Sequence, residues 1–244
     1  MRTATAATGL SSARLCAVER PIELAKNGAA HLISDCEAAL EAGEIDEAGW
    51  YRRIGAMITP AYLAADTPWG QSGRSGDAES WELARSLIAD AARSGTFLDV
   101  GCANGYLMEC MVRWCGVAGL VCEPYGLDIA PELADLARQR LPHWRDRIFT
   151  GNAIDWQPPR RFDVVRTGLE YVPQRRQRDL VERLLADVVA DRGRLIIGVF
   201  NEEREDHAIE RRLSEWGFAI TGTSQRLHAD PRLAYRVVWI DRRS

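Results

Sequence analysis

The sequence predicts an α/β protein: a doubly wound, mainly parallel seven-stranded sheet with an antiparallel last strand, preceded by an N-terminal helical cap. Two observations carry this. From Thr96 onward, short apolar runs alternate with stretches of helical periodicity, the pattern of right-handed βαβ crossovers with helices on both faces of a sheet. The last two runs are joined only by LHADPRL, a hairpin-like turn that reverses the final strand.

The elements follow in order. The first dozen residues, MRTATAATGLSS, are small and polar and are expected to fray. Residues 27–42 read as a helix. Ala30, Ile33, Ala38 and Leu40 recur near helical spacing among Asp35, Glu37 and Glu41, and Gly43 fits the end. A second helix runs from about Asp46 to Ala65, on Trp50, Ile54, Met57, Ile58 and Leu63, with Pro60 kinking or ending it near its last turn. TPWGQSGRSGD, residues 67–77, is a loop, and Asp77 is placed to cap a third helix over about 78–93. A boundary near residue 94 separates the cap, 1–94, from the α/β domain, 95–244. Strands are read at Thr96–Val100, Tyr125–Ile129, Arg147–Thr150, Phe162–Arg166, Arg194–Phe200, Ala219–Ser224 and Tyr235–Asp241. Helices fall near 105–116, 131–140, 174–190 and 204–216.

Composition narrows the class. The 244 residues are 46% hydrophobic and 27% charged, too apolar for a disordered chain. No apolar run reaches the roughly 18 residues of a membrane span. Met1 to Leu10 lacks the basic, apolar and small-residue regions of a secretion signal, so a cytoplasmic location is expected. The net charge is −4, whereas nucleic-acid binders usually carry a basic surplus, so nucleic acid is disfavoured as a partner. The acidic excess lies in residues 1–94, with 9 basic against 13 acidic groups. The six cysteines form no CxxC pair, and the four histidines stand outside zinc-ligand spacing. No metal site is expected, and the cysteines read as reduced, mostly buried residues.

The strongest local signal is FLDVGCANGY, residues 97–106. An apolar strand ends in Asp99, and the small-residue turn Gly101-Cys102-Ala103-Asn104-Gly105 leads into a helix. Glycine lets the backbone turn sharply, and lets a ligand approach main-chain N–H groups with no Cβ in the way. Open α/β sheets bind nucleotides beyond the carboxyl end of their first strand. A dinucleotide fingerprint fails here, because the third position is Ala103 and the sixth is Tyr106. The Gly-Lys-Ser/Thr of a phosphate-binding loop is absent.

What stands there, D-x-G-x-A-x-G, resembles the acidic-x-G-x-G-x-G motif of class I S-adenosylmethionine-dependent methyltransferases. Ala103 takes the middle slot, a departure expected only to narrow the turn. YGLDIAPELADLAR (125–138), FTGNAIDW (149–156), FDVVRTGLEYVP (162–173) and GRLIIGVFNE (193–202) resemble the family's later strands in order. The resemblance implies S-adenosylmethionine as cofactor and S-adenosylhomocysteine as product. It implies that Asp99 orders the turn and the cofactor's ammonium group, while Gly101, Cys102, Ala103, Asn104 and Gly105 surround the ligand. Cys102 is expected to have no chemical use. Asp128 would accept from the ribose hydroxyls, with Glu123 as a weaker rival. Ile129 would pack on adenine, Asn152 would bind the adenine amino group, and Ala153 would offer its N–H to adenine N1. Arg166 and Thr167 would line the methionine part.

Glu170 and Tyr171 are the catalytic candidates, as general base or substrate contact, with a loop-fixing role for Glu170 equally open. Trp69 is read either as a lid over the cofactor or as a buried core residue. In the lid reading Gln71, Ser72 or Arg74 meets the cofactor carboxylate, and Tyr62 is a fainter candidate for the same cavity. The implied reaction is methyl transfer to a small-molecule O, N or C acceptor. The rivals are an RNA or protein methyltransferase and a cofactor-binding module without turnover. The sequence leaves the oligomeric state open.

Overall fold

The computed structural model describes residues 32–73, 76–203, 206–228 and 230–243. The expected fraying of the first dozen residues, the start of the first helix and Arg74 lie outside them. The chain forms two compact units, Met1–Ala78 and Glu79–Ser244.

In the first unit, α1 (helical over 32–41) and α2 (Glu47–Leu63) are joined by a turn at Gly43, φ +72°. Asp46 caps α2, its Oδ1 accepting the Gly49 N–H at 2.7 Å. Cys36, Leu40 and Trp50 form the core between the two helices, with Leu32, Ile45, Tyr51 and Ile54 packed around them. The Trp50 indole donates to Glu37 at 3.1 Å, so its one polar atom is satisfied. Pro60 stays inside α2, which ends one residue past Tyr62.

The second unit begins with α3 (Ala78–Arg85) and α4 (Leu87–Asp90), where one continuous helix was expected. Leu87, Ile88 and Ala91 are fully buried, and Arg194 of the sheet donates to the Ala91 carbonyl. This segment is therefore part of the sheet's own core. The division falls after Ala78 rather than near residue 94.

The sheet has seven strands in the order β3-β2-β1-β4-β5-β7-β6. They are β1 (Gly95–Val100), β2 (Cys122–Asp128), β3 (Ile148–Thr150), β4 (Phe162–Thr167), β5 (Val189–Glu203), β6 (Gly222–Leu227) and β7 (Leu233–Asp241). The first five run parallel, and β7 is antiparallel to both its neighbours. The helices α5 (Tyr106–Val117), α6 (Pro131–Arg140), α7 (Gln177–Arg183) and α8 (Ala208–Glu215) fill the crossovers. α7 ends seven residues short of expectation because its last turn unwinds into a π-turn over Leu184–Val188.

β6 lies three residues later than the apolar run Phe218–Ile220 suggests. Its burial alternates strictly between half-buried and exposed, as on an edge strand, so apolar content locates it poorly. The hairpin partner sets the register instead. Gly222 lies opposite Trp239, and a Cβ there would stand 2.3 Å from the indole ring.

Strand order reverses between β1 and β4. Beyond their carboxyl ends lies the crevice where doubly wound sheets bind ligands. Among the described residues no helix is long and apolar enough to cross a membrane.

Candidate active site

The turn after β1 alternates in hand. Gly101, Ala103 and Gly105 have φ values of +77°, +46° and +75°. The middle slot thus requires a left-handed backbone, and Ala103 bears the strain of a Cβ there, beyond the narrowing expected from its size. Ala103→Gly relieves about 1–2 kcal/mol of left-handed strain and adds about 0.4–1 kcal/mol of unfolded-state entropy. Urea unfolding is expected to show equal or slightly higher stability. A clear loss would contradict the strain at this position.

The amides of this turn point inward. Gly101 and Cys102 both donate to the Leu127 carbonyl, at 2.7 and 3.1 Å. Ala103 donates to Asp128 Oδ2 at 2.8 Å, Gly105 to the Cys102 carbonyl at 2.8 Å, and Tyr106 to Asn104 Oδ1 at 3.1 Å. The amides of Gly101, Cys102, Ala103, Gly105 and Tyr106 are thus bonded within the protein rather than turned outward. A turn whose amides are already spent is a poor phosphate cradle. The Cys102 sulfur packs down on Gly126 of β2, in a core with Met108, Ala134, Ala137, Leu141 and Ile148. Burial first, then Asp128 and Asp99, push its thiol well up, which suits packing and not nucleophilic chemistry.

Asp128 ends β2 and is 6% exposed. Oδ2 holds the Ala103 N–H, and Oδ1 holds the Ala130 N–H at 2.9 Å. Burial pushes its pKa up, against the donors Ala130, Ala103 and Ile129. A carboxylate oxygen can accept twice, so each retains capacity for a ligand hydroxyl. Glu123 lies near the other end of β2, five residues before the strand terminus Asp128, and is held by Tyr125 and Arg147. Ile129, next along, is 45% exposed, an apolar side chain left uncovered beside the acid. The Gly151 N–H donates to the Asp128 carbonyl at 2.9 Å, which brings the segment after β3 alongside. There Asn152 Oδ1 accepts the Ile154 N–H at 3.1 Å, and Ala153 is buried.

Asp99 and Arg166 are partners across β1 and β4, 1% and 4% exposed. Arg166 Nη1 lies 3.3 Å from Asp99 Oδ1 and donates to the Tyr171 hydroxyl at 2.8 Å, while Nε donates to the Gly198 carbonyl at 2.7 Å. Burial raises Asp99 to about 6, with Arg166 and Arg85 opposing and Asp128 reinforcing. A pH consequence follows for any cationic ligand group held by Asp99. Its affinity should fall as pH drops through about 6, measured by calorimetry in constant salt. The contribution of Asp99 to stability has the opposite sign. The folded state holds the proton more tightly than the unfolded chain, so this contribution is present at acid pH and lost as pH rises through about 6.

Tyr171 closes the short 3-10 turn Leu169–Tyr171, and its ring lies on Gly101, where a Cβ would meet Cε2 at 2.6 Å. Burial raises its pKa, and Glu170 and Asp99 add to this against Arg166. The phenol is protonated near neutrality and can donate as a substrate contact. Glu170 is exposed, its carboxylate folded against the Gly168 Cα. The Thr167 hydroxyl is buried and bonds the Gly168 carbonyl at 3.3 Å.

In the first unit, the expected open loop is a compact turn around the 3-10 segment Gly70–Ser72. The Trp69 indole is half-buried and donates to the Gly76 carbonyl at 2.8 Å. Gln71 donates to the Ala65 carbonyl, Ser72 to the Trp69 carbonyl, and Tyr62 packs on Gly73. Each of these side chains is engaged within the turn itself. Among the described residues no cluster of three His, Cys, Asp or Glu side chains is placed to hold a metal.

What sequence reasoning missed is the tie of Arg166 to Asp99, Tyr171 and Gly198. The available signal was an arginine in an otherwise apolar strand, FDVVRT.

Residues 97–193 match a family model described as a methyltransferase domain. No curated protein matches. Among solved structures, the fold is similar to 1,6-didemethyltoxoflavin-N1-methyltransferase of Burkholderia thailandensis, solved with its substrate and S-adenosylhomocysteine. The two share 16% identity and a TM-score of 0.58, over 82% of this chain and 92% of that one. The 4+2 cyclase SpnF is similar at 13% identity and TM-score 0.55, over 79% and 96%. A methyltransferase from Aquifex aeolicus is similar at 14% identity and TM-score 0.50, over 72% and 100%.

Proposed function

We propose that this chain is a class I S-adenosylmethionine-dependent methyltransferase acting on a small-molecule O, N or C acceptor, a reading supported by the match of residues 97–193 to a methyltransferase-domain model and by the strand order of the sheet. The observation that carries the reading is the pair of buried acids, Asp99 and Asp128, flanking a turn whose Gly101, Cys102, Ala103 and Gly105 amides are bonded within the protein. Such a site suits a ligand with a diol and a cation and disfavours a pyrophosphate. Methyl transfer from a sulfonium needs alignment and a dry pocket more than acid–base help. That fits a site whose tyrosine stays neutral. A base is needed only where the acceptor is protonated and weakly acidic, and Glu170 is the exposed carboxylate at hand for it.

The small-molecule assignment draws support from the acidic balance of the chain and from the Burkholderia enzyme, named for its action on a small heterocycle. The test is transfer of labelled methyl from S-adenosylmethionine to extract fractions. Label in the low-mass fraction, insensitive to RNase and protease, supports the reading. Label lost with either enzyme moves the acceptor to RNA or protein. A second reading draws on SpnF, which is named a cyclase: a binding site on this fold that carries out no methyl transfer. Cofactor binding with no labelled product in any fraction would establish it.

A further inference from the structure

We propose that Cys115 and Cys122 form a dithiol–disulfide site, oxidised reversibly by small disulfides such as glutathione disulfide. The site is independent of the cofactor and of the methyltransferase reading.

Cys115 stands in the last turn of α5, and Cys122 opens β2. Both are free, and their thiols are hydrogen-bonded to each other, with Cys122 as donor. The backbone turn between them sets this meeting. The Leu120 N–H donates to the Cys115 carbonyl at 2.8 Å, the Ala118 N–H to the Trp114 carbonyl at 3.1 Å, and Gly119 takes φ +71°. The Gly95 N–H holds the Val121 carbonyl at 2.8 Å, which fixes where β2 begins.

A disulfide requires the sulfurs to close from hydrogen-bond reach to about 2.05 Å. The turn has room to yield by that much. Nothing stands within 4 Å of a Cβ placed at Gly116 or Gly119, and Val117 and Val121 are 88% and 72% exposed. β3 joins β2 only at Gly126, beyond Cys122 along the strand.

The other described cysteines are set apart from this pair. Cys36 is buried in the first unit, and Cys102 packs on Gly126. Cys110 lies beside Arg113. Burial pushes the thiols of Cys102 and Cys110 up, Cys110 to about 11, whereas the hydrogen bond from Cys122 pulls the Cys115 thiol down.

Access divides the roles. Cys122 is partly exposed, and Cys115 is fully buried behind it. Cys122 loses its proton to solvent and attacks one sulfur of glutathione disulfide, releasing one glutathione thiolate. Cys115 then loses its proton and attacks the Cys122 sulfur, forming the protein disulfide and releasing the second glutathione thiolate. The two protein sulfurs give up two electrons, the glutathione sulfurs gain them, and the two protons end on the released glutathiones. The bond ties the end of α5 to the start of β2, the elements whose opposite ends carry Gly105 and Asp128.

The test equilibrates the protein in glutathione buffers, folded and in urea, followed by alkylation and trypsin. Trp114–Arg138 is released as one peptide with both cysteines and no other, so the disulfide reads as an unalkylated peptide lighter by two hydrogens. The effective concentration of the pair should be about 10- to 100-fold higher in the folded protein than in urea, and oxidation should raise the melting temperature by a few degrees. In Cys115→Ala, with folding checked by circular dichroism, Cys122 should stop at the mixed disulfide with glutathione. An effective concentration equal or lower in the folded protein, or pairing of Cys122 with any other cysteine, would overturn the site. A Cys122 left unmodified in the folded variant would overturn its part as the point of entry. If the variant does not fold, the wild-type comparison decides alone.

Discussion

If Asp128 binds the ribose as proposed, Asp128→Ala should cut affinity for S-adenosylhomocysteine by about 1–3 kcal/mol, and it should also lower folding stability by about 1–3 kcal/mol because the carboxylate holds the turn. Its two oxygens hold the amides of Ala103 and Ala130, so truncation leaves a buried N–H unsatisfied as well as removing the proposed ribose acceptor. Asp128→Asn is the informative control. One oxygen remains to accept, while the amide nitrogen faces either the Ala103 N–H or the ligand. Calorimetry and urea unfolding on the three proteins separate the effects. If affinity falls and stability does not, the turn does not depend on Asp128. If neither falls, the assignment of the acid is wrong.

Gly101→Ala should be nearly as damaging. The position needs φ +77°, which costs an L-residue about 1–2 kcal/mol. The new Cβ would stand 2.6 Å from the Tyr171 ring, well inside contact distance, so the ring must move. Tyr171 accepts from Arg166, so moving it disturbs the arginine and with it Asp99. The expected result is a stability loss of about 2–3 kcal/mol, summing strain and overpacking, together with weakened ligand binding. Arg166 should then respond less to the further change Tyr171→Phe than it does in wild type. Additive losses in the double variant would show that the ring and the turn are independent.

The strands that carry the site were legible because they are mostly buried and read as short apolar runs broken by one aspartate each, FLDV and FDVV among them. The edge strand β6 was misplaced because half its residues face water, and only pairing with β7 sets its position. The break between α3 and α4 was illegible for a similar reason. Neither side of Ser86 carries a breaker, and the helix yields there to let Leu87 and Ile88 reach the core.

By itself, the sequence determined the chain's class and the place of its chemistry. Alternating apolar runs can bury themselves in few other ways, and a strand-ending acid before a small-residue turn marks the carboxyl edge where ligands bind. Only the tertiary structure decided what each site residue does. Asp99 and Arg166 lie 67 positions apart and meet through strand pairing. The glycine-rich turn could have offered its amides outward, and the approach of Leu127 and Asp128 turned them in. Burial and the neighbours Glu170 and Asp99 raise the Tyr171 phenol, and neither effect is written in its local sequence. Protonation state and hydrogen-bond capacity depend on which groups are brought within a few ångströms, and that is a property of the folded chain alone.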